Sequence, residues 1–188
     1  MTQASTSTAA AGLDAAAGAA YRSGMAEAFN DRALPAQKDA RYRDVAAEIA
    51  AVLEGEPNLT ARMATVASML ASSFDHYFWT GFYVVDPAKG DELVVGPYQG
   101  TLGCLRIVFG RGVCGTAAAT RQTQLVEDVE AFPGHIACDS RSKSEVVVPV
   151  VDRDGELIAV FDVDSDRPAA FDDTDARWLE IIMAETFA

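Results

Sequence analysis

The apolar residues of this chain change their spacing from helical to strand-like and back again, and few folds accommodate that order. In "DVAAEIAAVLEG", Val45, Ile49, Val52 and Leu53 fall at i, i+4, i+7 and i+8, one helical stripe ending at Gly55. Pro57 breaks the pattern, and Asn58 can cap a second helix with Leu59, Met63, Val66 and Leu70 on one face. The period then drops to two. "HYFWTGFYVV" is aromatic and β-branched and reads as a strand. The turn "DPAKGDE" leads to further strands in "LVVGPYQG" and "CLRIVF". "GVCGTAAATRQ" is predicted helical from near Val113, and "QLVEDV" is short and extended. "AFPGHIACDSRSKS" has no period and reads as a loop long enough to carry function. "EVVVPVV", "DRDG" and "ELIAVFDVDS" predict a hairpin. A last helix starts at Asp172, with Trp178, Ile181 and Ile182 inward. The order predicts an α+β fold, an antiparallel sheet with the N-terminal and C-terminal helices packed on one face.

The chain has 188 residues, near the size of one domain, and its 49% hydrophobic content supplies a core without staples. The net charge of −13 lacks the basic footprint of a nucleic-acid binder and opposes an anionic membrane surface. No apolar run approaches the roughly eighteen residues of a membrane span. The start, "MTQASTSTAAAGLDAAAGAA", fits neither a secretory signal nor a transit peptide, so a cytoplasmic location with reduced thiols is expected. Residues 1–37 read as an Ala-rich arm, with a short helix over 21–34 ending before Pro35, and 38–188 as the catalytic domain.

Cys104, Cys114 and Cys138 are all the cysteines there are, and an odd count excludes a complete framework of pairs. Cys138 sits in the polar loop beside Asp139, Arg141 and Lys143, whose charges push its thiol in opposite directions. Cys114, near a helix start, is expected to gain thiolate character from the helix dipole. Cys104 opens an apolar strand, where a cysteine is ordinarily a small hydrophobe. Zinc held by His135, Cys138, Cys104 and Cys114 is a rival reading, but no short Cys-x₂₋₄-Cys pair is present, so no metal and no cofactor are expected.

If residues 156–164 form a strand, Asp162 and Asp164 share a face, and Glu145 on the partner strand could join them. Like charges at close range raise at least one pKa, so one carboxyl could donate a proton while others bind an ammonium. The competing reading of "DVDSD" is a strand running into a polar loop. Trp79, Gly81 and Tyr83 share a face, and the gap at Gly81 suits a small ligand between two rings, against plain core packing. The glycines of "GRGVCGT" do not match a phosphate loop. Together these features suit thiolate attack on a sulfoxide sulfur. A second cysteine would resolve the sulfenic acid, and a third would relay the disulfide outward.

"WTGFYVVD", "GPYQG", "GCLRIVFGRGVCGTA", "GHIACDSRSKSEVVVPV" and "LIAVFDVDS" together resemble the free methionine-(R)-sulfoxide reductases, small GAF-fold enzymes acting on the free amino acid. The resemblance covers roughly residues 40–187. It implies Cys138 as nucleophile, Cys104 as its disulfide partner and Cys114 as an auxiliary cysteine. It implies Glu145, Asp162 and Asp164 as the acids holding the sulfoxide and the ammonium, Trp79 and Tyr83 as pocket aromatics, and a loop at Ile136 and Ala137 that closes over free methionine sulfoxide. A thioredoxin-like reductant, a homodimer and preference for the R epimer are likewise implied by the family alone. The alternative is a GAF module that senses a small ligand without chemistry.

Overall fold

The computed structural model describes residues 35–135 and 138–188. Residues 1–34 of the expected 1–37 arm, with its short helix, lie outside the described residues, as do Ile136 and Ala137. Helix α1 (Pro35–Val52) opens on proline, whose fixed φ and missing N–H suit the first helical position. It begins within the stretch expected as arm. Helix α2 (Leu59–Ser73) is capped as expected, the Asn58 side chain accepting from Ala61 N at 3.0 Å.

Strands β1 (Trp79–Val85), β2 (Glu92–Gln99) and β3 (Arg106–Val108) follow, then helix α3 (Gly112–Thr120). Strand β4 (Gln124–Val126), β5 (Ser144–Val151), β6 (Leu157–Ser165) and helix α4 (Asp173–Phe187) complete the unit. The six strands form one antiparallel sheet in the order β3-β2-β1-β6-β5-β4. Alternation divides its side chains. Phe82, Val146, Val148, Phe161 and Val163 face α1, α2 and α4 and form the larger core. Trp79, Tyr83, Leu93, Val147 and Val160 face the other way, under α3. The terminal helices thus share one face, and the helix inserted between strands covers part of the opposite one.

Four inward assignments shift. Val52 is 61% exposed and Leu59 is 41% exposed, because each is the terminal residue of its helix beside the α1–α2 connection. On α4 the buried row is Leu179, Ile182, Met183 and Phe187, while Trp178 and Ile181 are half-buried. Trp178 lies at the rim, where its indole N–H donates to Asp39 at 2.8 Å. Among the described residues no helix is long and apolar enough to cross a membrane.

One polar network ties α4 to α1. Asp172 caps α4, accepting from Thr174 N at 2.7 Å, and the Asp175 carboxylate accepts in return from Asp172 N at 2.7 Å. Asp175 is fully buried, and it also accepts from the Tyr42 hydroxyl at 2.7 Å and from Lys38. Tyr42 in turn hydrogen-bonds Tyr77 ahead of β1. Among the described residues, removing the carboxylate takes a buried charged acceptor from Lys38, which keeps only Asp172, and from the Tyr42 hydroxyl, which keeps only Tyr77. Asp175→Ala is therefore expected to lose about 3–5 kcal/mol, read as a lowered midpoint of urea unfolding.

Candidate active site

The central strands set out the site. In the pairing of β1, β6 and β5, Trp79 stands opposite Asp164 and Asp164 opposite Glu145. One step along, Gly81 is opposite Asp162 and Asp162 opposite Val147. All point to the face that α3 covers, so two neighbouring rows of the sheet carry three carboxylates. Glu145 and Asp162 are buried and Asp164 is half-buried. Asp162 Oδ1 is buried with no hydrogen-bond partner among the described residues.

The charges acting on these groups are mainly each other's. Burial, then Asp162 and Asp164, pushes the Glu145 carboxyl well above the carboxylate range. Burial, then Asp164, does the same to Asp162. Burial pushes Asp164 up to about 6, with a hydrogen bond from Ser142 holding it down. The arrangement keeps protonated and ionised carboxyls side by side near neutral pH, which is what proton donation to one ligand atom and cation binding at another require.

Helix α3 lowers the third sulfur onto this floor. Gly110 (φ 77°) and Gly112 (φ 63°) turn the chain from β3 into the helix in a conformation that favours glycine. Cys114, in the first turn, is 5% exposed and donates its S–H to Glu145 Oε1 at 3.8 Å. The thiolate character expected from the helix dipole is not found. Burial first, then Asp162 and Glu145, pushes this thiol well up. Desolvation and two facing acids outweigh a dipole effect of about 1 kcal/mol. Cys114 is a free thiol buried against the acid floor.

Cys104 and Cys138 are joined by a disulfide, with Cα atoms 5.3 Å apart. Cys104 is half-buried in the connection before β3, which starts at Arg106, so it does not open a strand as expected. Cys138 is exposed, and it lines the same cavity as Trp79, Tyr83, Glu145, Asp162 and Asp164. The rival zinc set does not converge, because two of its sulfurs are bonded to each other. Among the described residues, Cys114, Glu145 and Asp162 do have a spacing that a metal ion can use, with ligand atoms within 4.8 Å of one another. His135 lines the cavity half-buried, and burial lowers its pKa.

The aromatics are arranged differently from the expected slot. Trp79 stacks directly on Tyr83, with centroids 5.4 Å apart, and on Tyr98 at 5.2 Å. The space at Gly81 is already filled. A Cβ there would lie 2.2 Å from Tyr98 Cβ, in keeping with the pairing of Gly81 opposite Tyr98. Trp79 and Tyr83 therefore form one wall of the cavity and not two jaws around a ligand, with Tyr98 packed behind Trp79 and outside the lining. Tyr98 was legible only as an aromatic in "GPYQG"; its role required the strand register. Burial, then Asp162, pushes the Tyr83 hydroxyl far up, so it stays neutral.

The family model for the GAF domain matches residues 58–186. The chain is 47% identical to GAF domain-containing protein A of Dictyostelium discoideum, covering 78% of this chain and 90% of that one. It is 41% identical to the free methionine-R-sulfoxide reductase of Escherichia coli, covering 77% and 85%. Its structure is similar to that of the free methionine-R-sulfoxide reductase from Neisseria meningitidis in complex with its substrate. The TM-score is 0.75 at 48% identity, over 79% of this chain and 87% of that one.

The raised carboxyls have a measurable consequence for stability. Between about pH 4 and pH 6 the unfolded chain ionises Asp164 while the folded chain keeps its proton. Stability from this group therefore falls as pH rises through that window and levels off above it. Asp164→Asn removes the penalty. Its lead over the parent in urea unfolding is expected to grow from pH 4 to pH 6 and reach about 1–2 kcal/mol at pH 7. An equal lead at both ends would mean that ionisation is not the cause.

Proposed function

The chain belongs to the free methionine-(R)-sulfoxide reductases of the GAF family, and from that premise we propose that it reduces free methionine (R)-sulfoxide through the Cys138 thiol. The observation that carries this reading is the Cys104–Cys138 disulfide on a cavity floored by Glu145, Asp162 and Asp164.

The Cys138 thiolate attacks the sulfoxide sulfur. A carboxylic acid of the floor, Glu145 or Asp162, donates a proton to the sulfoxide oxygen. The oxygen passes to Cys138 as a sulfenic acid, and methionine leaves with the electron pair. The Cys104 thiol then displaces that oxygen as water and closes the disulfide. A thioredoxin-like dithiol reopens the disulfide by thiol exchange, returning both cysteines to the thiol state. Asp164, with the lowest proton affinity of the three, is the carboxylate offered to the substrate ammonium. Trp79 and Tyr83 wall the space for the methyl end. Catalysis is assigned to the domain from residue 38 onward, in a homodimer, in the cytoplasm, where the disulfide is recycled. Cys114 serves the floor as a neutral thiol.

Anaerobic thiol titration of the reduced chain, with each sulfoxide epimer separately, tests the reading. The R epimer should remove the thiols of Cys104 and Cys138 and release methionine, and the S epimer should do neither. Cys138→Ser should lose methionine release, and Cys104→Ser should keep a single turnover without sustained cycling. A ligand sensor would bind without any change in thiol count. Full turnover by Cys138→Ser would refute the assignment.

A further inference from the structure

Both sulfurs of the disulfide ride on irregular segments, yet a closed circuit of polar and ring contacts holds those segments together independently of the S–S bond. Trp79 donates its indole N–H to the Thr101 carbonyl at 3.0 Å, fixing the segment that leads to Cys104. The Thr101 hydroxyl donates to Asp139 Oδ2 at 2.9 Å, fixing the residue next to Cys138. Asp139 also accepts from Arg141, through the backbone N–H at 3.0 Å and through the guanidinium at 3.1 and 2.9 Å. That guanidinium lies over the Phe78 ring, 4.3 Å from its centroid, and Phe78 is the neighbour of Trp79. The circuit closes on β1.

We propose that Thr101, through Asp139, is a positioning residue that holds the Cys138 segment beside Cys104 while Cys138 is a sulfenic acid, and so sets the rate of disulfide closure. Closure condenses the Cys138 sulfenic acid with the Cys104 thiol, forming S–S and releasing water. It needs the two sulfurs to come within bonding distance, and proximity of this kind is what fixed geometry supplies. Neither sulfur has a regular element to hold it. Cys104 precedes β3, and Cys138 lies between the 3₁₀ turn at Val129–Ala131 and β5. The Thr101–Asp139 hydrogen bond joins the two segments without involving either sulfur. Asp139 is suited to the role, because the Arg141 guanidinium holds its carboxyl far below the usual range and keeps it an acceptor. Thr101 itself is exposed and, unlike Asp139, is not among the residues lining the cavity, so losing its hydroxyl removes no atom from the cavity wall.

The inference rests on the sulfenic acid chemistry proposed for Cys138, and its test separates the two. Reduced Thr101→Val keeps the carbonyl that Trp79 uses and loses only the hydroxyl. With stoichiometric methionine (R)-sulfoxide, its methionine burst should match that of the parent. Closure of the disulfide, followed by quenched thiol counting, should slow by roughly tenfold, the worth of one hydrogen bond to a charged group. The sulfenic acid should accumulate and be captured by dimedone. Thr101→Ser, which restores the hydroxyl, should recover the parent rate. A parallel run with hydrogen peroxide as oxidant forms the same sulfenic acid without the sulfoxide and reads closure alone. Closure in Thr101→Val at the parent rate with both oxidants would overturn the proposal, as would an equal slowing of burst and closure that Thr101→Ser does not restore. Absence of a methionine burst in the parent would instead count against the reductase reading, leaving the peroxide run to decide the role of Thr101.

Discussion

Three acids on one patch of buried sheet are expensive to ionise, and the site is organised around that expense. Glu145 and Asp164 stand directly opposite each other, and Asp162 lies one row away on the same face. Each carboxylate that loses its proton raises the cost for the next. The floor is consequently a mixture of acid and base near neutral pH, poised for a ligand bearing a cation and an oxygen to be protonated. Asp162 Oδ1, buried without a hydrogen-bond partner among the described residues, adds to that cost. A scaffold must be stable enough to carry such a patch, and the larger core under α1, α2 and α4 lies wholly on the other face of the sheet.

The three cysteines lie on the face that carries the acids, and they are of two kinds. Cys114 is held on the helix that covers the acids, and its proton is retained by the same burial and charge that hold theirs. Cys104 and Cys138 sit on connecting segments at the edge of the cavity, where one is half-buried and one exposed. Sulfurs that must exchange partners need segments able to approach each other and a reductant able to reach them. Irregular chain at the edge of the cavity meets both needs, and contacts such as Thr101 with Asp139 limit how far that freedom extends.

Much of this was legible along the chain. Strand alternation put Asp162 and Asp164 on one face, and the hairpin partner put Glu145 beside them, because a period of two is a local property. Asn58 and Asp172 announced their helices through side chains that cap the backbone nearby. The Trp79–Tyr83 pair was legible as a shared face, but Tyr98 was not, since its place opposite Gly81 depends on pairing between strands. Val52 and Leu59 kept their helical phase but lacked a neighbour to bury them, which spacing cannot report. The Asp175 network was silent for the same reason: Lys38, Tyr42 and Tyr77 become its partners only when distant segments pack.

The sequence by itself determined the element types, the face on which the acids lie and the cysteines available for redox work, because each follows from a short-range period or from residue chemistry. Only the tertiary structure decided which sulfur is sealed in and which two meet. Proton affinity is set by the surrounding dielectric and charge, and those come from residues far apart in the chain. Cys114 shows the difference: its place in the first turn of a helix favoured a thiolate, and burial, with the acids of β5 and β6 beneath it, reversed the outcome.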